Sequence, residues 1–319
     1  MRAPEKRCGF NDLHYVPAGF WTSVLGVWDW GPARVIGIVP VEADGSAYFK
    51  VPVRQPVYFQ ALDENYLEVR RMRSNVTFQG GEQRGCIGCH ETKSVSPPAP
   101  VATKLRALKR EPSMPIPPSW GDRENPSFER HIQPILDRHC VRCHGDKDPA
   151  GGIEFTAHPV DGYFQSYRAM FGLERTDPTP AAPGFASKWY PTDASFGDPK
   201  VLKLMEQNKH PGQLIALANR FDGPEVTPPS AFGSGQSRLI AALFDRNHKD
   251  EVKLPKDEWI ALATWVDLNA PYWDTYADKD NKTEAGFPRR VRAIFPDPWE
   301  RPPSGEWIWQ DETTVVLKP

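Results

Sequence analysis

Two copies of the pattern Cys-x-x-Cys-His constrain this chain more than any other feature of its sequence. They are Cys86-Ile87-Gly88-Cys89-His90 and Cys140-Val141-Arg142-Cys143-His144. In such a pattern the two cysteines form thioethers to the vinyl groups of a haem, and the histidine binds the iron. We therefore predict two covalently bound haem c groups, with His90 and His144 as iron ligands. A haem also supplies apolar core that the chain itself need not provide.

Two other kinds of site use paired cysteines. A four-cysteine zinc site usually has a shorter gap between its pairs, and it would leave His90 and His144 without a role. A thioredoxin-like redox motif opens a helix in a βαβ unit, and neither segment lies in such a unit. The fifth cysteine, Cys8, has no sequence partner and is expected to be a free or buried thiol.

The composition is that of an ordinary globular protein with unusually many prolines. Of 319 residues, 39% are hydrophobic and 25% charged, and the net charge of −2 gives no support for nucleic-acid binding. The longest apolar stretches, such as residues 260–266, are far shorter than the roughly 20 residues of a membrane span. The 34 prolines are about twice the average usage and predict much loop structure.

The N-terminus bears on localisation. Residues 1–6 carry charge without a following apolar run, so we do not expect them to form a signal peptide. Haem c is nevertheless attached outside the bacterial cytoplasm. We therefore expect a mature or truncated chain, or part of a longer one, in the periplasm or another extracytoplasmic compartment.

The predicted fold class is α+β. Alternating apolar and turn residues between 33 and 80 predict about five short strands in a β-sandwich-like domain, residues 1–96, which ends in the first motif. A proline-rich linker, residues 97–125, leads to a mostly α-helical cytochrome c domain, residues 126–286. Helices are expected at 128–136, at 239–244 and at 255–266, where Pro255 suits the first position of the helix. An irregular tail, 287–319, contains a possible strand at 313–317.

A six-coordinate iron needs a distal ligand, and an open position implies small-molecule chemistry. For the second haem, His248 and His210 are the better candidates, because both lie on loops away from the motif. For the first haem the candidates are Met72, which also suits a β-domain core, and His14. The remaining histidines are less suited by position: His131, His139 and His158.

Several stretches resemble the hydrazine synthase alpha subunit family. The strongest are Val39-Pro40-Val41-Glu42-Ala43-Asp44-Gly45-Ser46-Ala47-Tyr48-Phe49 and Trp265-Val266-Asp267-Leu268-Asn269-Ala270-Pro271-Tyr272. Others are residues 34–37, 51–52, 58–63, 72–74, 81–82, 86–91, 133–140, 144–145, 232–234, 248 and 252–254.

The resemblance implies a β-rich domain with one haem and a helical domain with a bis-histidine haem that relays electrons. On this reading, His248 is the distal partner of His144. In the family's synthase, a tyrosine one helical turn past the first motif binds iron, and the motif histidine binds zinc. Here that position is Ser94, so His90 is expected to bind iron in the ordinary way.

Three functions remain open at this stage. The first is a dihaem c-type cytochrome that transfers electrons within a larger redox system, with partner cytochromes or a catalytic subunit. The second is a haem oxidoreductase, hydrazine synthase-like or peroxidase-like, with an open first haem fed by the second. The third is a gas or ligand sensor or interaction module, for which the sequence contains no signalling domain.

Overall fold

The computed structural model describes two sets of residues. Side chains are described for residues 33–72, 75–88, 105–123, 126–159, 163–172, 209–217 and 228–272, and backbone strands lie at Arg2–Pro4, Tyr15–Pro17, Thr275–Lys282, Pro288–Ala293, Trp307–Trp309 and Thr314–Leu317. These residues combine helices and strands, as the predicted α+β class requires. Among them no helix is both long and apolar enough to cross a membrane.

Short antiparallel pairs form the N-terminal β region. We number all strands in chain order: β1 Arg2–Pro4, β2 Tyr15–Pro17, β3 Ala33–Val35, β4 Pro56–Val57, β5 Gln60–Leu62, β6 Glu68–Arg71 and β7 Val76–Thr77. Strand β1 pairs with β3, β4 with β7, and β5 with β6. Ile36, Val57 and Phe78 form a small core, against which Phe49 and Phe59 pack. Frequent prolines and turns keep each strand to two to four residues.

The proline-rich segment packs against this β region. Ile116 pairs with Ile38, and Ser113 pairs with Phe49. A side chain at Gly37 would lie 2.7 Å from the carbonyl oxygen of Ile116, so this close approach of two backbones requires glycine. Arg110 completes the contact by donating to Glu42 at 2.7 Å.

Four α-helices lie among the described residues of the second region. They are α1 Gln133–His139, α2 Gln165–Met170, α3 Arg238–Phe244 and α4 Lys256–Asp267. A single π-helical turn, Phe128–Ile132, which we call the wide turn, precedes α1. Ser127 caps its N-terminus, because the Ser127 hydroxyl accepts from the Arg130 amide at 3.2 Å. Strands β8 Pro159–Val160 and β9 Tyr163–Phe164 form a hairpin that leads into α2.

The core of the helical region is aromatic. Buried rings from the wide turn, β9, α2, α4 and the residues just after α2 and α4 meet edge to face, tilted or stacked, at centroid distances typical of such pairs. They are Phe128, Tyr163, Tyr167, Phe171, Trp265 and Tyr272. Tyr167 donates to the Ala270 carbonyl, and burial raises the pKa of its hydroxyl well above the usual value. This core holds α1, and with it the second motif, against α4.

Buried polar contacts join the β region to the helical region. The Glu68 amide on β6 donates to the Ser234 hydroxyl at 3.0 Å, and Ser234 donates to both carboxylate oxygens of Asp267 on α4 through its amide and its hydroxyl. Arg71 donates to Glu68 at 2.6 Å. We call Glu68, Arg71, Ser234 and Asp267 the buried junction, because all four side chains are almost wholly buried.

A five-stranded sheet involves both ends of the chain. Strands β10 Thr275–Lys282, β11 Pro288–Ala293, β12 Trp307–Trp309 and β13 Thr314–Leu317 join β2 in the order β12-β13-β11-β10-β2. The strand expected at 313–317 is β13. Strand β10 lies within the segment expected to be mainly helical, and its polar sequence gives no alternating apolar pattern.

Candidate haem site

Helix α1 leads directly into the second Cys-x-x-Cys-His motif. The Cys140 amide donates to Leu136 at 2.8 Å, and the amides of Cys143 and His144 donate to the Cys140 carbonyl at 3.1 and 2.9 Å. The motif therefore continues the helix as a tight turn. Cys140 is half-buried and Cys143 is exposed. Burial, together with the neighbouring Cys143 thiol, raises the pKa of Cys140 to about 11.

The His144 ring is oriented by the chain that follows the motif. Its Nδ1 lies 2.9 Å from the carbonyl oxygen of Ile153, and its ring lies 5.0 Å from that of Phe155. The Phe155 amide donates to the His144 carbonyl at 2.8 Å, which fixes the return of the chain. A carbonyl can only accept, so Nδ1 carries the proton and the lone pair is on Nε2. Nε2 is therefore the nitrogen that can bind a metal.

His248 lies in a tight turn after α3, in the segment 245–252. Its Nδ1 lies 3.1 Å from Oδ1 of Asp245, and the Val252 amide donates to the His248 carbonyl at 2.7 Å. Hydrogen bonds from the His248 side chain and from the Asn247 amide lower the pKa of Asp245, so its carboxylate is charged at neutral pH. As in His144, Nδ1 is the donor and Nε2 keeps the lone pair.

The rings of His144 and His248 lie near each other and are nearly parallel. Their centroids are 6.3 Å apart and their planes differ by 12°. Superimposed rings in direct contact would be about 3.5–4 Å apart. Two metal–imidazole bonds of about 2 Å each, plus about 1 Å from each nitrogen to its ring centre, give about 6 Å. The spacing of the ring centroids, the tautomer that the two rings share and the two cysteines beside His144 fit an iron between the rings.

Further contacts attach the motif to its surroundings. Arg142, inside the motif, donates to both the backbone and the side chain of Glu251 at 3.0 Å, three residues past His248. His139, just before the motif, lies 2.7 Å from Glu258 of α4, which also accepts from Arg138. The motif is therefore held both to the loop that carries His248 and to α4.

The first motif is described only in part. Cys86 is exposed, Ile87 is 46% exposed, and Gly88 has a φ of +69°. Cys89, His90 and the candidate ligand His14 lie outside the described residues, as does Cys8. Met72 is half-buried just after β6, where its amide donates to the Phe59 carbonyl at 2.9 Å.

The other candidate histidines have different surroundings. Nδ1 of His131 accepts from the Ser127 amide at 2.9 Å, and its ring lies 5.5 Å from that of Trp120. His158 is exposed and His210 is half-buried. The ring of His248 lies beside that of His144 in the described part of the chain.

Sequence reasoning missed the acceptors that orient the two rings. Ile153 acts through its carbonyl, which no side-chain pattern reveals. Asp245 did have a signal: an aspartate three residues before a histidine, just after a helix, favours an Asx turn in which both backbone amides and the ring reach one carboxylate. Across the described part of the chain, no group of three or more His, Cys, Asp and Glu side chains is arranged to hold a metal ion.

Comparisons with known proteins point to one family. A sequence model of the hydrazine synthase alpha subunit middle domain matches residues 12–91. Hydrazine synthase subunit alpha of Kuenenia stuttgartiensis is 25% identical over 301 residues, covering 77% of this chain and 33% of that protein. A solved structure of Kuenenia stuttgartiensis hydrazine synthase aligns with 18% identity and a TM-score of 0.40, covering 86% of this chain and 38% of that one.

The matched region has a definite extent. The chain spans about a third of the length of the curated relative, and the family match covers residues 12–91, which include the first motif. These comparisons confirm the resemblance predicted from the sequence. We conclude that residues 12–91 match the middle domain of the hydrazine synthase alpha subunit and that the chain is similar in sequence to that subunit.

Proposed function

We propose that this chain is a dihaem c-type cytochrome that transfers electrons as a module of a larger redox system. Cys86, Cys89 and His90 bind one haem c, and Cys140, Cys143 and His144 bind the second, with His248 as the distal ligand of the second iron. Each haem supplies a centre for one-electron exchange. The similarity to a subunit of hydrazine synthase supports partner proteins, which are other cytochromes or a catalytic subunit.

The geometry of His144 and His248 carries this proposal. The two imidazoles are nearly parallel, their ring centroids are 6.3 Å apart, and both have an Nε2 lone pair available. This arrangement suits a six-coordinate iron. A six-coordinate iron has no open position for a substrate, so it exchanges electrons without binding one. The acceptors at Nδ1 of both rings hold this arrangement in place, so little reorganisation accompanies electron exchange.

Covalent attachment also supports an extracytoplasmic location. Haem c is joined to its cysteines outside the bacterial cytoplasm, so the periplasm or an equivalent compartment is proposed for the mature protein.

The partly buried apolar side chains beside the motif, Val141 and Ile153, supply the apolar contact that a porphyrin needs.

A second candidate function is a haem oxidoreductase. The relative's name identifies it as a subunit of an enzyme, and the described part of the first motif is exposed at Cys86 and Ile87. In this alternative the first haem keeps an open position for hydrazine synthase-like or peroxidase-like chemistry, and the second haem supplies it with electrons.

Absorption spectra of the reduced protein, with and without carbon monoxide, separate these functions. For electron transfer alone we expect two haems per chain and no binding of carbon monoxide to either. Binding to one haem in the wild type would contradict that reading and favour the oxidoreductase.

A ligand variant tests the second site directly. His248→Ala is expected to convert one haem per chain to a five-coordinate, carbon monoxide-binding form. His158→Ala, at an exposed histidine of the same region, is the control and should leave the spectrum unchanged. An unchanged spectrum of His248→Ala would exclude His248 as the ligand.

A further inference from the structure

The two facing histidines differ in the group that accepts from Nδ1. His144 donates to the carbonyl oxygen of Ile153, a neutral acceptor, at 2.9 Å. His248 donates to the carboxylate of Asp245 at 3.1 Å. The same ring nitrogen is used on both sides, so the difference between the two ligands is one of charge.

Asp245 is held in position by the turn that it caps. Its Oδ1 accepts from the Asn247 amide at 2.7 Å and from the His248 amide at 3.2 Å, and its own carbonyl accepts from the Lys249 amide at 3.0 Å. The carboxylate is therefore fixed by backbone groups. Asp245 is 45% and His248 32% exposed, so the contact lies at the protein surface.

A carboxylate acceptor changes the ligand chemically. It draws the proton on Nδ1 towards itself, which increases the electron density at Nε2 and the basicity of the ligand. A more basic ligand binds ferric iron more strongly than ferrous iron. A carbonyl acceptor has a weaker effect, because it carries no full charge.

We propose that Asp245 is the positioning residue of the His248 ligand and that its carboxylate lowers the reduction potential of the second haem. The inference rests on the proposed haem function. The reaction that it affects is the uptake of one electron by ferric iron, with no bond made or broken and the proton remaining between Nδ1 and the carboxylate.

Potentiometric titration of the holoprotein with dithionite and ferricyanide tests the proposal. In Asp245→Asn the side-chain oxygen still accepts from the amides, but the charge is gone. At the wild-type midpoint potential, we expect the ratio of reduced to oxidised second haem to rise at least threefold, which is about 28 mV for a one-electron couple. Asp245→Ser, which keeps a capping oxygen, should shift the ratio in the same direction.

Asp250→Asn is the matched control. Asp250 lies in the same turn and is exposed, and its side chain makes no hydrogen bond or ion pair among the described residues. We expect less than a 1.5-fold change in the same ratio. The shift in Asp245→Asn should persist at 1 M salt, since the Debye length is then about 3 Å and a merely through-space effect of a surface charge is screened.

Two results would overturn the inference: equal ratios in Asp245→Asn and Asp250→Asn, or a shift that disappears at high salt. Failure of the proposed function is recognised separately. In that case His248→Ala keeps a six-coordinate spectrum, whatever the potentials of the aspartate variants.

Discussion

Oε2 of Glu258 lies 2.7 Å from Nε2 of His139, and this contact ties the residue before the second motif to helix α4. Arg138 donates to the other carboxylate oxygen of Glu258 at 2.7 Å. One carboxylate thus anchors the last turn of α1. The contact holds the start of the Cys140–His144 turn to helix α4, independently of the loop that carries His248.

Glu258→Gln should therefore destabilise the helical region modestly. The Glu258 side chain is only 16% exposed, and it loses charge-assisted hydrogen bonds to two side chains, so we expect a loss of about 1–2 kcal/mol in the free energy of unfolding. Urea denaturation followed by circular dichroism measures this loss. Asp257→Asn, an exposed neighbour in the same first helical turn, controls for the helix dipole and should cost less. Equal losses would argue against a specific anchor.

Removal of the cation from the buried junction should cost more. Arg71 is almost wholly buried. Burial is the largest single effect and would lower the pKa of its guanidinium. The charge and the hydrogen bond of Glu68, with smaller contributions from Tyr58 and Asp267, together outweigh burial, and the net shift of the pKa is upward. Arg71→Met leaves the Glu68 carboxylate buried without its partner, and we expect a loss of about 3–5 kcal/mol in urea denaturation.

Arg84→Met is the control for Arg71→Met. It breaks an ion pair with Glu82 in which the arginine is 44% exposed, and should cost less than about 1 kcal/mol. Similar losses in the two variants would show that burial of the junction does not determine its contribution.

A glycine beside the same junction tests its packing. Gly233 has a φ of +68°, and a Cβ there would lie 2.6 Å from Oδ1 of Asp267. Gly151 has a similar φ of +61° with nothing within 4 Å. Both alanine variants incur the left-handed strain of about 1–2 kcal/mol. Only Gly233→Ala also displaces Asp267, so its melting temperature should fall further than that of Gly151→Ala. A smaller fall would contradict the close packing.

Acid should weaken one contact between the β region and the proline-rich segment. Hydrogen bonds lower the pKa of Asp44 from 3.8 to about 2. The hydrogen bond from the Ser46 hydroxyl has the largest effect, and that from the Arg106 amide has the next largest. Because the native-state pKa is the lower one, the stabilisation is complete above pH 3.8 and is lost as the pH falls towards 2. Asp44→Asn should be less stable than the wild type at pH 6, with the difference vanishing near pH 2. A difference that does not change over this range would exclude the charge of Asp44 as its source.

The sequence predicted local features better than contacts between distant segments. The spacing of apolar residues predicted α3 and α4, which the structure places at Arg238–Phe244 and Lys256–Asp267. Strand β10 was missed, because Thr275–Lys282 is polar and its pairing depends on β11 and β2. Propensity carries no information about such partners.

In the candidate site, too, the local features were predictable from sequence and the contacts between distant segments were not. The motif around Cys140 is readable from sequence, because its cysteines and histidine are adjacent and its turn is local. That His248 faces His144 is a tertiary relationship, since the two residues belong to separate loops joined through the helical core. The sequence could not predict that the Ile153 carbonyl accepts from His144, because every residue has a backbone carbonyl.

The pairing of Ile38 with Ile116 and of Phe49 with Ser113 holds together the two ends of the segment that contains the first motif. Residues 86–90 lie between these paired positions in the sequence. A chain cut within the first motif would therefore leave two pieces that the same backbone pairs still hold together.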